Sequence, residues 1–145
     1  MQDNHYAFPA HPQFMTECSN TGVTAGSKNF WVAENFIPAV ANGSSGAVMW
    51  VMATDPNYGP RSPYGGCSTC LGSIVVNSST VYTKQIDYYM IGQFSRFIRR
   101  GAVNYNIPVG ARQGSGTDWD SQFFVIATKN PDGGWAVVFL SLIHI

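Results

Sequence analysis

Charge is scarce in this chain. Asp, Glu, Lys and Arg make up 11% of its 145 residues, against about a quarter in an ordinary soluble domain. Eight basic residues cancel eight acidic ones. That balance excludes the electrostatic footprint of a nucleic-acid binder and the basic face of a membrane-surface protein. Cysteine and histidine are also few, three of each. A structural zinc wants four ligands, and His5, His11 and His144 show no ligand spacing, so no metal site is expected. No apolar run approaches the ~18 residues of a membrane span. The opening, MQDNHYAFPAHPQ, lacks the charged and apolar regions of a secretory leader. Of glutamate there are two, Glu17 and Glu34. What is abundant is apolar: hydrophobic residues are 45% and aromatics 14%. That is ample core for one ordinary domain or pieces of two. High aromatic and low charge content suits an uncharged polar ligand such as a sugar.

Phe14 and Met15 predict a short strand that ends at Glu17. SNTGVTAGS after it reads as a Gly-rich loop. In NFWVAENFIPAVANG, Phe30, Ala33, Ile37 and Val40 fall at helical spacing, and Pro38 predicts a kink or a one-turn break. AVMWVMATD, residues 47–55, predicts a strand buried on both faces, as in a parallel sheet. PNYGPRSPYGGCSTCLGS is a long loop of the kind that often carries function, and SIVVN predicts a short strand. VYTKQIDYYMIGQFSRFIRRG predicts the clearest helix. Tyr82, Ile86, Tyr89, Met90, Phe94 and Phe97 recur at helical intervals. Arg99 and Arg100 fall in its last turn and Gly101 caps it. AVNYNIPVG is extended, and QFFVIATKNPDGGWAVVFL predicts a hairpin turned at NPDGG. Two βα units cannot close an eight-stranded barrel, and so small a β piece does not stand alone. On physical grounds the chain reads as incomplete.

Glu17 is the candidate for chemistry. A carboxylate just past an apolar strand and before a Gly-rich loop occupies the place where β/α barrels put catalytic groups. Position alone leaves an exposed loop carboxylate as the alternative. Glu34 falls within a predicted helix, on a solvated face. Cys67 and Cys70 in GGCSTCLG fit a small disulfide loop, implying an oxidising compartment, or a reduced redox pair. The sequons at Asn42 and Asn77 are compatible with secretion.

Several pieces in order carry a resemblance: TEC, FW opening a helix, MWVMATDPNYGP, GGCSTCLG and YYMIGQFSRFIRRGAV. Gly92 to Ile98, GQFSRFI, looks like a G-H-F-S-K-F stretch. Together they resemble glycoside hydrolase family 30, from about Gln13 to Leu140. That family includes glucosylceramidases, β-glucosidases, endo-β-1,6-glucanases and xylanases. Its members fuse a (β/α)8 TIM barrel to a β-sandwich and cleave glycosidic bonds with retention.

The resemblance implies an α/β chain. Residues 1–100 would be the last strands and helices of the barrel, strands seven and eight. Residues 101–140 would be part of the sandwich. The tail LSLIHI looks like translated adapter sequence, so 141–145 reads as non-native. Glu17 matches the nucleophile at the end of the seventh barrel strand. The partner acid follows an Asn on the fourth strand. This chain has no Asn-Glu pair, so that partner is expected in a missing N-terminal part. Trp50 matches a tryptophan lining the sugar subsite, with a barrel-core Trp as the alternative. Val51 stands where the family often has Asn, and Gln93 where it has His, a position read as structural. Asp55 either touches ligand or orders its loop. Cys18 reads as a small wall residue beside the nucleophile. Cys67 and Cys70 resemble a G-C-x-x-C-x-G loop of the glucanase and β-glucosidase members, which favours a disulfide. No cofactor is implied. The partner is carbohydrate, the substrate a β-glucan or β-glucoside, and the parent secreted. The isolated chain is expected to be inactive. Two other readings are a non-catalytic carbohydrate-binding or structural chain, and a thiol redox module on Cys67 and Cys70.

Overall fold

Parallel pairing organises the first half of the chain. The computed structural model describes residues 2–20, 31–105 and 123–141. A short helix α1 (Gln2–Ala7) leads to strand β1 (Gln13–Met15). Helix α2 (Trp31–Ala41) and strand β2 (Ser44–Ala47) follow. β2 lies parallel to β1, with Met15 opposite Ala47. This is the βαβ arrangement, in which a crossover helix lets parallel strands pair. The expected Phe30 position lies outside the described residues. The helix runs unbroken through Pro38, so the predicted one-turn break is absent. Pro38 has no N–H to offer the Glu34 carbonyl, which is the local cost. The Pro38 carbonyl still accepts from the backbone N–H of Asn42 at 3.0 Å.

The run at 47–55 is not a strand buried on both faces. β2 stops at Ala47 and pairing resumes only at β3 (Ala53–Thr54). Val48, Trp50 and Met52 are 54, 51 and 75% exposed, whereas Met49, Val51 and Ala53 are half-buried. The apolar run therefore hides a period of two: alternate residues face outward. β4 (Ile74–Val76) is the short strand expected at SIVVN, and β3 pairs with it in parallel.

The long predicted helix is shorter than its apolar spacing suggests. Tyr82–Lys84 forms strand β5, antiparallel to β4. Val81, Tyr82 and Thr83 are β-branched or aromatic types that favour strands. The Asn77 amide also donates to Thr83 Oγ1 at 2.8 Å, within this hairpin. Gln85 is still extended, and helix α3 spans Ile86–Ser95. Phe97, Arg99 and Arg100 lie beyond it. Gly101 is not its cap but holds φ +83° in a turn closed by Ala102 N–H to Arg99 C=O, 2.9 Å. A positive φ at that third turn position favours glycine.

β6 (Val103–Tyr105), β7 (Phe123–Lys129) and β8 (Trp135–Ser141) form an antiparallel sheet. The β7–β8 turn lies at NPDGG, as the sequence predicts: Asn130 N–H meets Gly134 C=O at 2.7 Å, and Gly133 holds φ +86°. Ser141, counted with the tail, pairs with Phe123; residues 142–145 lie outside the described residues. One face of this sheet packs on the helices. Phe124, Ile126 and Leu140 meet Val32, Phe36 and Ile37 of α2 and Phe94 of α3. The Phe36 and Phe94 rings meet edge to face at 5.5 Å. Residues before and after position 100 thus share one core. Phe36→Ala is expected to destabilise the folded protein by about 3–5 kcal/mol. A denaturant titration reads this, and a loss below about 1 kcal/mol would mean that the junction carries little. The opposite sheet face leaves Val103, Tyr105, Trp135, Val137 and Phe139 exposed.

Candidate functional site

The ends of the two parallel strands place the site. Beyond Met15 the ladder loosens but does not end. Val48 N–H donates to Met15 C=O and Trp50 N–H to Cys18 C=O, both at 2.8 Å. Ser19 bridges Trp50 in parallel. From Met15 to Ser19 the first strand takes four steps, while from Ala47 to Trp50 its partner takes three. An extra residue in one strand re-aims side chains, as a bulge does. Glu17 falls in that stretch and is exposed. Trp50, across the ladder, exposes half its surface. A carboxylate and an indole therefore share the carboxyl end of a parallel pair, where α/β folds present functional groups.

Cys18 is half-buried, and its Sγ–H donates to Val48 C=O at 3.6 Å. Burial, and then the negative charge of Asp87, pushes its thiol pKa up. Asn20 and Asp87 are both buried and make the contact that sequence reasoning missed. The Asn20 amide donates to both Asp87 carboxylate oxygens, at 3.1 and 2.9 Å. Burial raises the Asp87 pKa, and the Asn20 hydrogen bond opposes the rise. No local signal could have paired residues so far apart in sequence.

The loop after β3 returns to the same strand ends. Leu71 N–H donates to Asn20 C=O at 3.0 Å, and Ser73 N–H to Val51 C=O at 3.1 Å. A Cβ on Gly72 would sit 2.6 Å from the Thr54 nitrogen, so only glycine lets the chain pass there. Asp55 Oδ1 accepts the N–H groups of Asn57 and Gly59 at 2.7 and 2.8 Å. That is the self-bonding of an Asx turn, and it occupies one carboxylate oxygen in shaping the loop. Cys67 and Cys70 are joined by a disulfide.

Other candidates lie elsewhere. Glu34 is on α2, half-buried rather than on a solvated face, and burial raises its pKa. The helix is flanked by the core, so its first turn is less open than the sequence suggests. Gln93 is exposed on α3. A cleft of about 810 Å³ lies at the opposite, amino end of β2, lined by Tyr6, Asn42, Ser44, Tyr105 and Ile126 among others. Among the described residues its lining includes no carboxylate. Among the described residues no group of three or more His, Cys, Asp or Glu could hold a metal ion. No described helix is long and apolar enough to cross a membrane.

The chain is similar to endo-1,6-β-D-glucanases. That of Neurospora crassa is 35% identical over 136 residues, 92% of this chain and 28% of the relative. The neg1 enzyme of Aspergillus fumigatus is 34% identical over 135 residues, again 92% of this chain and 26% of the relative. The chain thus spans about a quarter of the length of these relatives. Among solved structures, the endo-β1,6-glucanase BT3312 superposes with a TM-score of 0.74 at 25% identity. The match covers 97% of this chain and 30% of that one. SrfJ from Salmonella typhimurium gives a TM-score of 0.76 at 23% identity, with the same coverage, and speaks to the fold alone. No family model matches the chain.

Proposed function

We propose that this chain is the nucleophile-bearing part of a longer, retaining β-glycosidase of glycoside hydrolase family 30, acting on β-1,6-linked glucan. The observation that carries the reading is Glu17: an exposed carboxylate at a parallel strand end, two residues before the Ser19 that bridges Trp50, in a chain similar to β-1,6-glucanases over 92% of its length. Residues 1–100 supply the last two βα units of a barrel, and 101–140 part of a sandwich. Other β-glucosides, glucosylceramide among them, are the wider substrate class of the same chemistry.

In the proposed mechanism a Glu17 carboxylate oxygen attacks the anomeric carbon. The bond to the leaving oxygen breaks as a second carboxylic acid, about 5–5.5 Å away, protonates it. Glu17 then holds the sugar as a glycosyl ester. Water, deprotonated by the second carboxylate, attacks the same carbon and frees Glu17. Two inversions give net retention. The second group must come from outside this chain, which has no Asn-Glu pair. The exposed Trp50 ring offers a flat apolar face to the C–H surface of a sugar. The disulfide at Cys67–Cys70 fits a secreted parent.

The test is stereochemical. NMR of the full-length enzyme acting on β-1,6-glucan should show the β anomer as first product. A slow fluorinated glucoside should leave its mass on the peptide carrying Glu17. A first product of α configuration, or label on another residue, would overturn the assignment.

A further inference from the structure

The segment carrying Glu17 is tied down by a contact that the proposed chemistry does not use. Asp87, in the first turn of α3, is 1% exposed. Among the described residues its carboxylate is held by the Asn20 amide, which reaches both oxygens. Asn20 Oδ1 is itself buried and finds no partner among the described residues. Burying such groups is costly, and an apolar pair of similar volume could fill the space at lower cost. Packing alone therefore does not account for this pair.

What Asn20 does is close one end of the looser stretch of strand. Its carbonyl accepts from Leu71, Ser19 bridges Trp50, and the Cys18 carbonyl accepts from Trp50. At the other end Met15 is held by Val48. Glu17 lies between the two anchors, in the stretch that takes four steps against three. Such a residue has no regular ladder position of its own. Its direction depends on where the two ends are fixed.

We propose that Asp87 is a positioning residue for Glu17: by gripping Asn20 it fixes the downstream anchor and so aims the carboxylate. The inference rests on the reading of Glu17 as nucleophile. A misplacement of about 1 Å far from the reacting atoms can cost roughly a hundredfold in rate. Loss of aim lowers kcat while leaving sugar contacts at Trp50 in place.

The test is a reciprocal swap in the full-length enzyme. Asp87→Asn removes the carboxylate, and Asn20→Asp sets two carboxylates against each other. Each is expected to lower kcat by about ten- to a hundredfold, with KM moved by less than about threefold. The double variant Asn20→Asp/Asp87→Asn restores an amide facing a carboxylate with the roles exchanged. It is expected to recover kcat to within about threefold of the wild type. Rates are compared below each variant's melting transition, so that a folding defect is not read as lost aim. If one single variant does not fold, the other and the double variant carry the same comparison. Wild-type kcat in a folded single variant overturns the proposal. So does a folded double variant as slow as the slower single one. An active Glu17→Gln enzyme instead overturns the nucleophile reading, and this inference with it.

Discussion

Glu17→Gln in the full-length enzyme is expected to lower kcat on β-1,6-glucan by at least about a thousandfold. The amide matches the carboxylate in shape but has no anionic oxygen to attack the anomeric carbon, so the glycosyl ester cannot form. The fold should be spared. Glu17 is exposed, and substitutions at exposed positions usually stay within about 0.5 kcal/mol. Steady-state kinetics beside a melting curve separates the two effects. Turnover within about tenfold of the wild type would remove Glu17 from its role.

The isolated chain should show no turnover of an aryl β-glucoside. Retaining hydrolysis needs two carboxyl groups facing one bond, and among the described residues the strand ends offer Glu17 and Asp55. Glu34 cannot stand in, because it lies on α2 rather than at a strand end. Asp55 spends an oxygen on its own turn. Turnover by the purified chain would refute this expectation. The same sample tests the non-catalytic reading. Cooperative unfolding of a monomer that binds glucan without cleaving it would favour a carbohydrate-binding chain. The exposed stripe of Trp135, Val137 and Phe139 on β8 argues for the other outcome, self-association.

Local signals carried local structure. The NPDGG turn, the strand at SIVVN and the strand end before Glu17 were legible because each depends on neighbours in sequence. Tyr82–Lys84 was not, because aromatic residues at helical spacing also suit a strand once β4 is there to pair with. Residues 47–55 misled because exposed and half-buried positions are both apolar. Their outward face cannot be told by hydropathy alone. Glu17 and Trp50 were singled out by motif resemblance, and the structure pairs the segments that carry them through the Ser19–Trp50 bridge. Asn20 and Asp87 were not, because an Asp opening a helix looks like an ordinary response to the helix dipole.

Cys18 has a consequence for the chemistry of sulfur in this fold. It is a free thiol, two residues from Asn20, whose carbonyl is bonded by the neighbour of Cys70. A free thiol exchanges with disulfides only as its thiolate. Burial and the Asp87 charge keep the Cys18 proton on beyond the ordinary range. An alkylating reagent at neutral pH would likewise find little thiolate beside Glu17.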